Sequence, residues 1–121
     1  MARQGKLVDG FFGVPGDSRL LVSVGPDDGT VYASGLWYQT GSVPDTFIPD
    51  LDLVPGPWKA KLASQTIHVL ELEVRFLSAA TATVNAVITK AGTSPALDEI
   101  TWSWKAASGR KLIKLYVISK A

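Results

Sequence analysis

No cysteine occurs among the 121 residues of this chain. Disulfides, thiol nucleophiles and thiolate metal sites are therefore excluded, and whatever holds the fold together is noncovalent. Histidine is almost as scarce, with His68 alone. A zinc site needs three or four nitrogen or sulfur ligands, or carboxylate substitutes. A nucleophilic triad needs a base beside its nucleophile, commonly in a frame such as Gly-x-Ser-x-Gly. The sequence offers neither, so no catalytic residue, metal ligand or cofactor is assigned. Charge is thin as well: Asp, Glu, Lys and Arg supply 19% of residues, against roughly 25% in a typical soluble domain. No apolar run approaches the ~18 residues of a membrane-spanning helix. The opening Met1-Ala2-Arg3-Gln4-Gly5-Lys6 lacks the apolar core of a secretory signal, which favours the cytoplasm.

What is present is greasy. Hydrophobic residues make up 46% of the chain and the mean hydropathy is +0.17. A chain of this length builds one domain, 1–121, around one core, and a small domain exposes much of its surface. Some apolar surface is therefore expected to meet another chain. The net charge of +1 hides an asymmetry, −4 over residues 1–55 and +5 over 56–121. After Glu99 come Lys105, Arg110, Lys111, Lys114 and Lys120 with no acidic residue among them. Such a run is a solvated face, an anion site or one half of an electrostatic pairing.

The apolar runs are rich in Val, Ile, Thr and aromatics, and none sustains helical periodicity. Nine strands are predicted, near 6–13, 18–24, 30–39, 46–53, 58–64, 66–77, 81–90, 98–106 and 110–119. Gly and Pro clusters punctuate them: Pro15-Gly16-Asp17, Pro26-Asp27-Asp28-Gly29, Val54-Pro55-Gly56-Pro57 and Ser108-Gly109. Three hairpins follow from the period of two. Around Ser108-Gly109, Trp104, Trp102 and Ile100 fall opposite Ile113, Leu115 and Val117 on one face. Around residues 26–29, Val24, Val22 and Leu20 fall opposite Val31, Ala33 and Gly35. Around Ala80, Phe76, Val74 and Leu72 fall opposite Val84, Ala86 and Ile88. The phase change at Ile67 and Val69 predicts a β-bulge near Val69-Leu70. The expected fold is all-β: an antiparallel meander closed into a small barrel of about eight to ten strands, with a two-sheet sandwich as the alternative.

The last strand is apolar on both faces. Leu112, Tyr116 and Ile118, with Lys114 among them, lie opposite the Ile113/Leu115/Val117 face, and an antiparallel strand usually wets one side. These four are the candidate interface of a homo-oligomer, with Lys114 expected to meet an acidic residue of the N-terminal half. The competing cover is the chain's own residues 1–13. Along 30–39, Tyr32, Leu36 and Tyr38 point away from the Val31/Ala33/Trp37 face, a row that could stack on sugar rings or fill an interface; the candidate binding residues are Trp37, Tyr38 and Trp58 with the i, i+2 carboxylates Asp50 and Asp52. Glu71 and Glu73 share that spacing but read as a solvated face.

Gly56-Pro57-Trp58 at a strand entrance resembles the Gly-x-Trp of lipocalins and related barrels. The resemblance covers three residues, and half the chain precedes a motif that opens those barrels, so membership is not assigned. The function expected is a non-catalytic binding or structural module that homo-oligomerises. The alternatives are a barrel holding a small apolar or aromatic ligand, an enzyme working through a shaped apolar pocket, or a carbohydrate-binding module. The near-neutral charge and the absence of an RNA-recognition signature argue against nucleic acid.

Overall fold

The computed structural model of the chain describes residues 2–48, 58–90 and 96–120. The ten strands in them are β1 (Arg3–Gln4), β2 (Val8–Val14), β3 (Arg19–Gly25), β4 (Val31–Gln39), β5 (Asp45–Ile48), β6 (Trp58–Lys61), β7 (Ile67–Phe76), β8 (Ala80–Thr89), β9 (Asp98–Ala106) and β10 (Gly109–Ser119). No described residue is helical, and no helix is long and apolar enough to cross a membrane. One sheet has the order β1-β9-β8-β3-β6 and the other β2-β10-β7-β4-β5. Neither closes on itself. The two-sheet alternative therefore replaces the expected barrel. The meander fails too, because β1 runs parallel to β9 and β2 parallel to β10.

The physical reason lies in three tight turns. Residues 26–30, 77–79 and 107–108 each carry the chain from one sheet to the other instead of folding it back beside itself. Left-handed Gly29 (φ 83°) and Gly109 (φ 98°) supply backbone at two of these corners that other residues adopt with strain. Strands joined this way confront each other across the core through side chains, without hydrogen-bonding to one another. The corners stack, since β3, β8 and β9 are neighbours in the first sheet while β4, β7 and β10 are neighbours in the second. Leu77 N–H donates to Thr30 O at 2.9 Å and ties two corners together.

All three predicted hairpin pairings are therefore wrong in partner and right in face. Ile100, Trp102, Ile113, Leu115 and Val117 are buried in one cluster with Leu20, Val22, Val31, Ala33, Leu72, Val74, Phe76, Val84, Ala86 and Ile88. The predicted bulge is also absent: β7 keeps an unshifted register with both β4 and β10. Val69 is an outward residue that is buried because Tyr38 and Tyr116 flank it.

The N-terminal residues do not fold back over β10 as a cover. They extend both sheets. Phe11 enters the core from β2 while its neighbour Phe12 stays 68% exposed. Residues 3–6 strap the far edge, where Gly5 N–H donates to Thr101 O at 2.7 Å and Lys6 O accepts the Trp102 indole N–H at 2.7 Å. A Cβ on Gly5 would overlap the indole, so glycine is required there. Arg3 Nη1 donates to both carboxylate oxygens of Asp9, and Nη2 donates to Gly10 O at 2.8 Å. This clamp occupies the exposed edge of β2 that another strand would otherwise extend.

Candidate functional site

The two outer faces differ in chemistry. Across the first sheet Arg19 and Ser23, Thr81, Thr83 and Asn85, and Thr101, Ser103 and Lys105 point outward, with Leu21 and Val87 as apolar exceptions. Thr101 Oγ1 donates to Asn85 Oδ1 at 2.7 Å across β9 and β8. This is the ordinary wet face of a sandwich.

The second sheet departs from that pattern. Its register places Phe12, Ile118 and Ile67 in one outward row, then Gly10, Tyr116, Val69 and Tyr38, then Val8, Lys114, Glu71 and Leu36, then Leu112, Glu73 and Ser34. The candidate interface residues Leu112, Lys114, Tyr116 and Ile118 all belong to this face. Leu112 is 55% exposed, and Leu7 and Val8 beside it are 56% and 62% exposed. Between these residues and Leu36 of β4 runs a groove of about 600 Å³ floored by Glu71, Glu73 and Lys114.

The polar groups on this face are paired. Lys114 Nζ lies 3.9 Å from Glu71 Oε1 and 5.5 Å from the centre of the Tyr116 ring. The Tyr116 hydroxyl, acting as hydrogen-bond partner and charge, is the main cause holding the Lys114 ammonium above its usual pKa. Glu73 bonds to Arg75 and lies 3.4 Å from Arg110. Within the chain Lys114 thus meets an acid from the same, basic half.

The aromatic candidates are split. Trp37 and Tyr38 are consecutive on β4 and therefore face opposite ways. Tyr38 joins the outer face. Trp37 points between the sheets, 5.2 Å from Trp58 in an edge-on contact and stacked on His68 at 4.8 Å and 2°. One face of Trp37 is thus taken by the imidazole, and of the three only Tyr38 reaches the outer face, as alternation along the strand predicts. Asp50 and Asp52, like Gly56 and Pro57, lie outside the described residues. Among the described residues no group of three or more His, Asp and Glu side chains is placed to hold a metal ion.

Sequence reasoning missed a hydroxyl cluster around His68. Thr66 and Ser119, both buried, lie 3.0 Å apart, and His68 Nδ1 is 3.3 Å from Thr66 Oγ1. Both hydroxyls donate to Ala63 O. Thr66 Oγ1 is thus shared between Ala63 O and His68 Nδ1, and the direction of its bond with the imidazole follows the His68 tautomer. Burial holds the His68 pKa below its usual value. This cluster ties the 63–66 turn to the end of β10.

No protein-family model matches the chain, and neither a curated protein nor a solved structure does. Function must be argued from these surfaces alone. Also missed as site residues were Val8 and Phe12. Their signal was available: Leu7-Val8 and Phe11-Phe12 are adjacent apolar pairs, and alternation sends one of each pair outward.

Proposed function

We propose that the chain is a non-catalytic assembly module that self-associates through the outer face of its second sheet. The contrast between the two outer faces carries this reading. A small domain that can wet the first sheet with Thr, Ser, Asn and Lys instead places Val8, Phe12, Leu36, Ile67, Leu112, Tyr116 and Ile118 on the second. Leaving a large apolar side chain in water forfeits about 1.5–3 kcal/mol relative to burial, and large contiguous apolar patches mark interaction sites.

Light scattering at micromolar concentration is the test. An oligomer is expected, and Tyr116→Glu or Leu112→Glu is expected to dissociate it while the far-ultraviolet dichroism stays β. A monomer across that range overturns the reading. The groove's volume favours one alternative, since about 300–1,000 Å³ is the span of small-molecule pockets. An apolar ligand would then sit outside the sheet and not in a barrel interior. A solvatochromic apolar dye that binds the monomer stoichiometrically, and is lost in Leu112→Glu, would support that alternative over assembly.

A further inference from the structure

We infer that the open edge of β10 between Arg110 and Ile113 takes up an extended acidic segment of another protein as an added strand. Neither the inference nor its test depends on self-association through the outer face. The open backbone, the side chains beside it and their charge carry it.

The ladder between β10 and β2 begins at Lys114, opposite Val8, and runs on to Ser119. Lys114 N–H donates to Leu7 O at 2.8 Å, while Ser119 N–H donates to Thr66 O, on the β7 side, at 2.9 Å. In an antiparallel pair the N–H and C=O of one residue point the same way, and that direction alternates along the strand. Even-numbered residues of β10 therefore aim their main-chain groups towards β2, and odd-numbered ones towards β7. Before Lys114 the strap carries the chain away to the first sheet. Among the described residues, no backbone group meets the N–H and C=O of Arg110 and Leu112 on that side. Farther along, the Arg3 clamp on Asp9 and Gly10 closes the edge of β2. A short row of free donors and acceptors beside a closed stretch is what strand addition uses.

The side chains specify what the added strand carries. Leu112 and Leu7 are both exposed and line the groove. A residue paired with Leu112 points outward as Leu112 does, so an apolar side chain there packs against both leucines. Two residues away, the added strand faces Arg110. Lys105 and Lys111 flank the corner between β9 and β10, Lys6 lies in the strap, and all are exposed. Among the described residues none of these lysines has an ion-pair partner, and the Glu73 that reaches Arg110 is shared with Arg75. An acidic side chain opposite Arg110 therefore enters a field of uncompensated cations. Two copies joined through this edge would instead crowd two Arg110 and two Lys111 side chains into one short ladder, where like charges repel. The β9 edge beyond Thr101 is open as well, because β1 ends at Gln4, but its outward Ser103 and Lys105 supply no apolar wall.

The probe is the synthetic peptide acetyl-Glu-Thr-Leu-Thr-Glu-Thr-Leu-Thr-amide, whose Glu and Leu share one face of a strand. At millimolar concentration it should slow amide hydrogen exchange at Arg110 and Leu112 of the wild-type protein. Lys111 and Ile113, whose amides already face β7, should show no change. The same peptide with Lys in place of each Glu should bind at least about tenfold more weakly. Leu112→Pro removes an edge N–H without touching the ladder to β7, and should weaken the acidic peptide about tenfold while the dichroism stays β. Ser103→Pro does the same to the β9 edge and should leave the affinity unchanged. Absence of binding at that concentration, equal binding of the Lys peptide, or full affinity in Leu112→Pro overturns the proposal. Protection or proline sensitivity at Ser103 instead of Leu112 overturns it too.

Discussion

At the scale of single residues, Trp102 and Asp9 show how side chains hold the N-terminal strap. Trp102 is 2% exposed, lies against Gly5 and donates to Lys6 O. Trp102→Ala is expected to cost about 3–5 kcal/mol by denaturant titration. Thr101→Ala, which forfeits only the half-buried bond to Asn85, should cost about 0.5–1.5 kcal/mol. Asp9 is pushed up by burial, but hydrogen bonds from Lys6 N–H and Gly10 N–H, together with Arg3, outweigh that and hold its carboxyl below the ordinary value. A group depressed in the folded state stabilises above its unfolded pKa, near 3.9, and that stability is lost as pH falls through the folded value. Asp9→Asn should thus lower stability at pH 7 and flatten the decline below about pH 4. His68 behaves in the same direction over another window. Burial favours its neutral form, so the unfolded chain binds the proton more tightly and stability falls as pH drops below about 6.5. His68→Gln should remove that part of the slope between about pH 5 and 7, measured by thermal midpoint.

At the scale of elements, the inward face of nearly every strand was legible in the sequence, and the hydrogen-bonded partners were not. Period two reports which side of a strand meets the core. It says nothing about whether the chain turns back beside itself or crosses to the other sheet, because both routes bring Trp102 and Leu115 together. The distinguishing information was on the outer faces. The hairpin reading set Thr101 beside Tyr116 and Lys105 beside Leu112, pairs with no mutual attraction. The observed sheets set Lys114 beside Glu71 and Thr101 beside Asn85, an ion pair and a hydrogen bond. Cross-strand pairs of this sort stabilise a register by a few tenths to about 1 kcal/mol each. The same logic gives a direct check. A cysteine pair at Asn85 and Thr101 should cross-link within one molecule, and a pair at Thr101 and Tyr116 should not. The candidate site was half legible: β10 was visibly apolar on both faces, whereas the groove needs β2 and β4 placed on either side of β10 and β7. That arrangement depends on pairings far apart in the sequence.

At the scale of the whole molecule, among the described strands only β4–β5 and β8–β9 are sequence neighbours within one sheet; the other consecutive strands lie in different sheets. The domain should accordingly unfold as one unit, with coincident transitions by tryptophan fluorescence and far-ultraviolet dichroism. Separate transitions would show that the sheets are independent. The placement of the last strand has a consequence for biosynthesis. β10 is interior to the second sheet, bonded to β2 on one side and β7 on the other. Until residues up to Ser119 have left the ribosome, β2 has no partner and the greasy flank of β7 lies bare. The nascent chain must therefore wait, holding strands that cannot yet close, and a truncation before Gly109 would leave a substrate for chaperones and proteases.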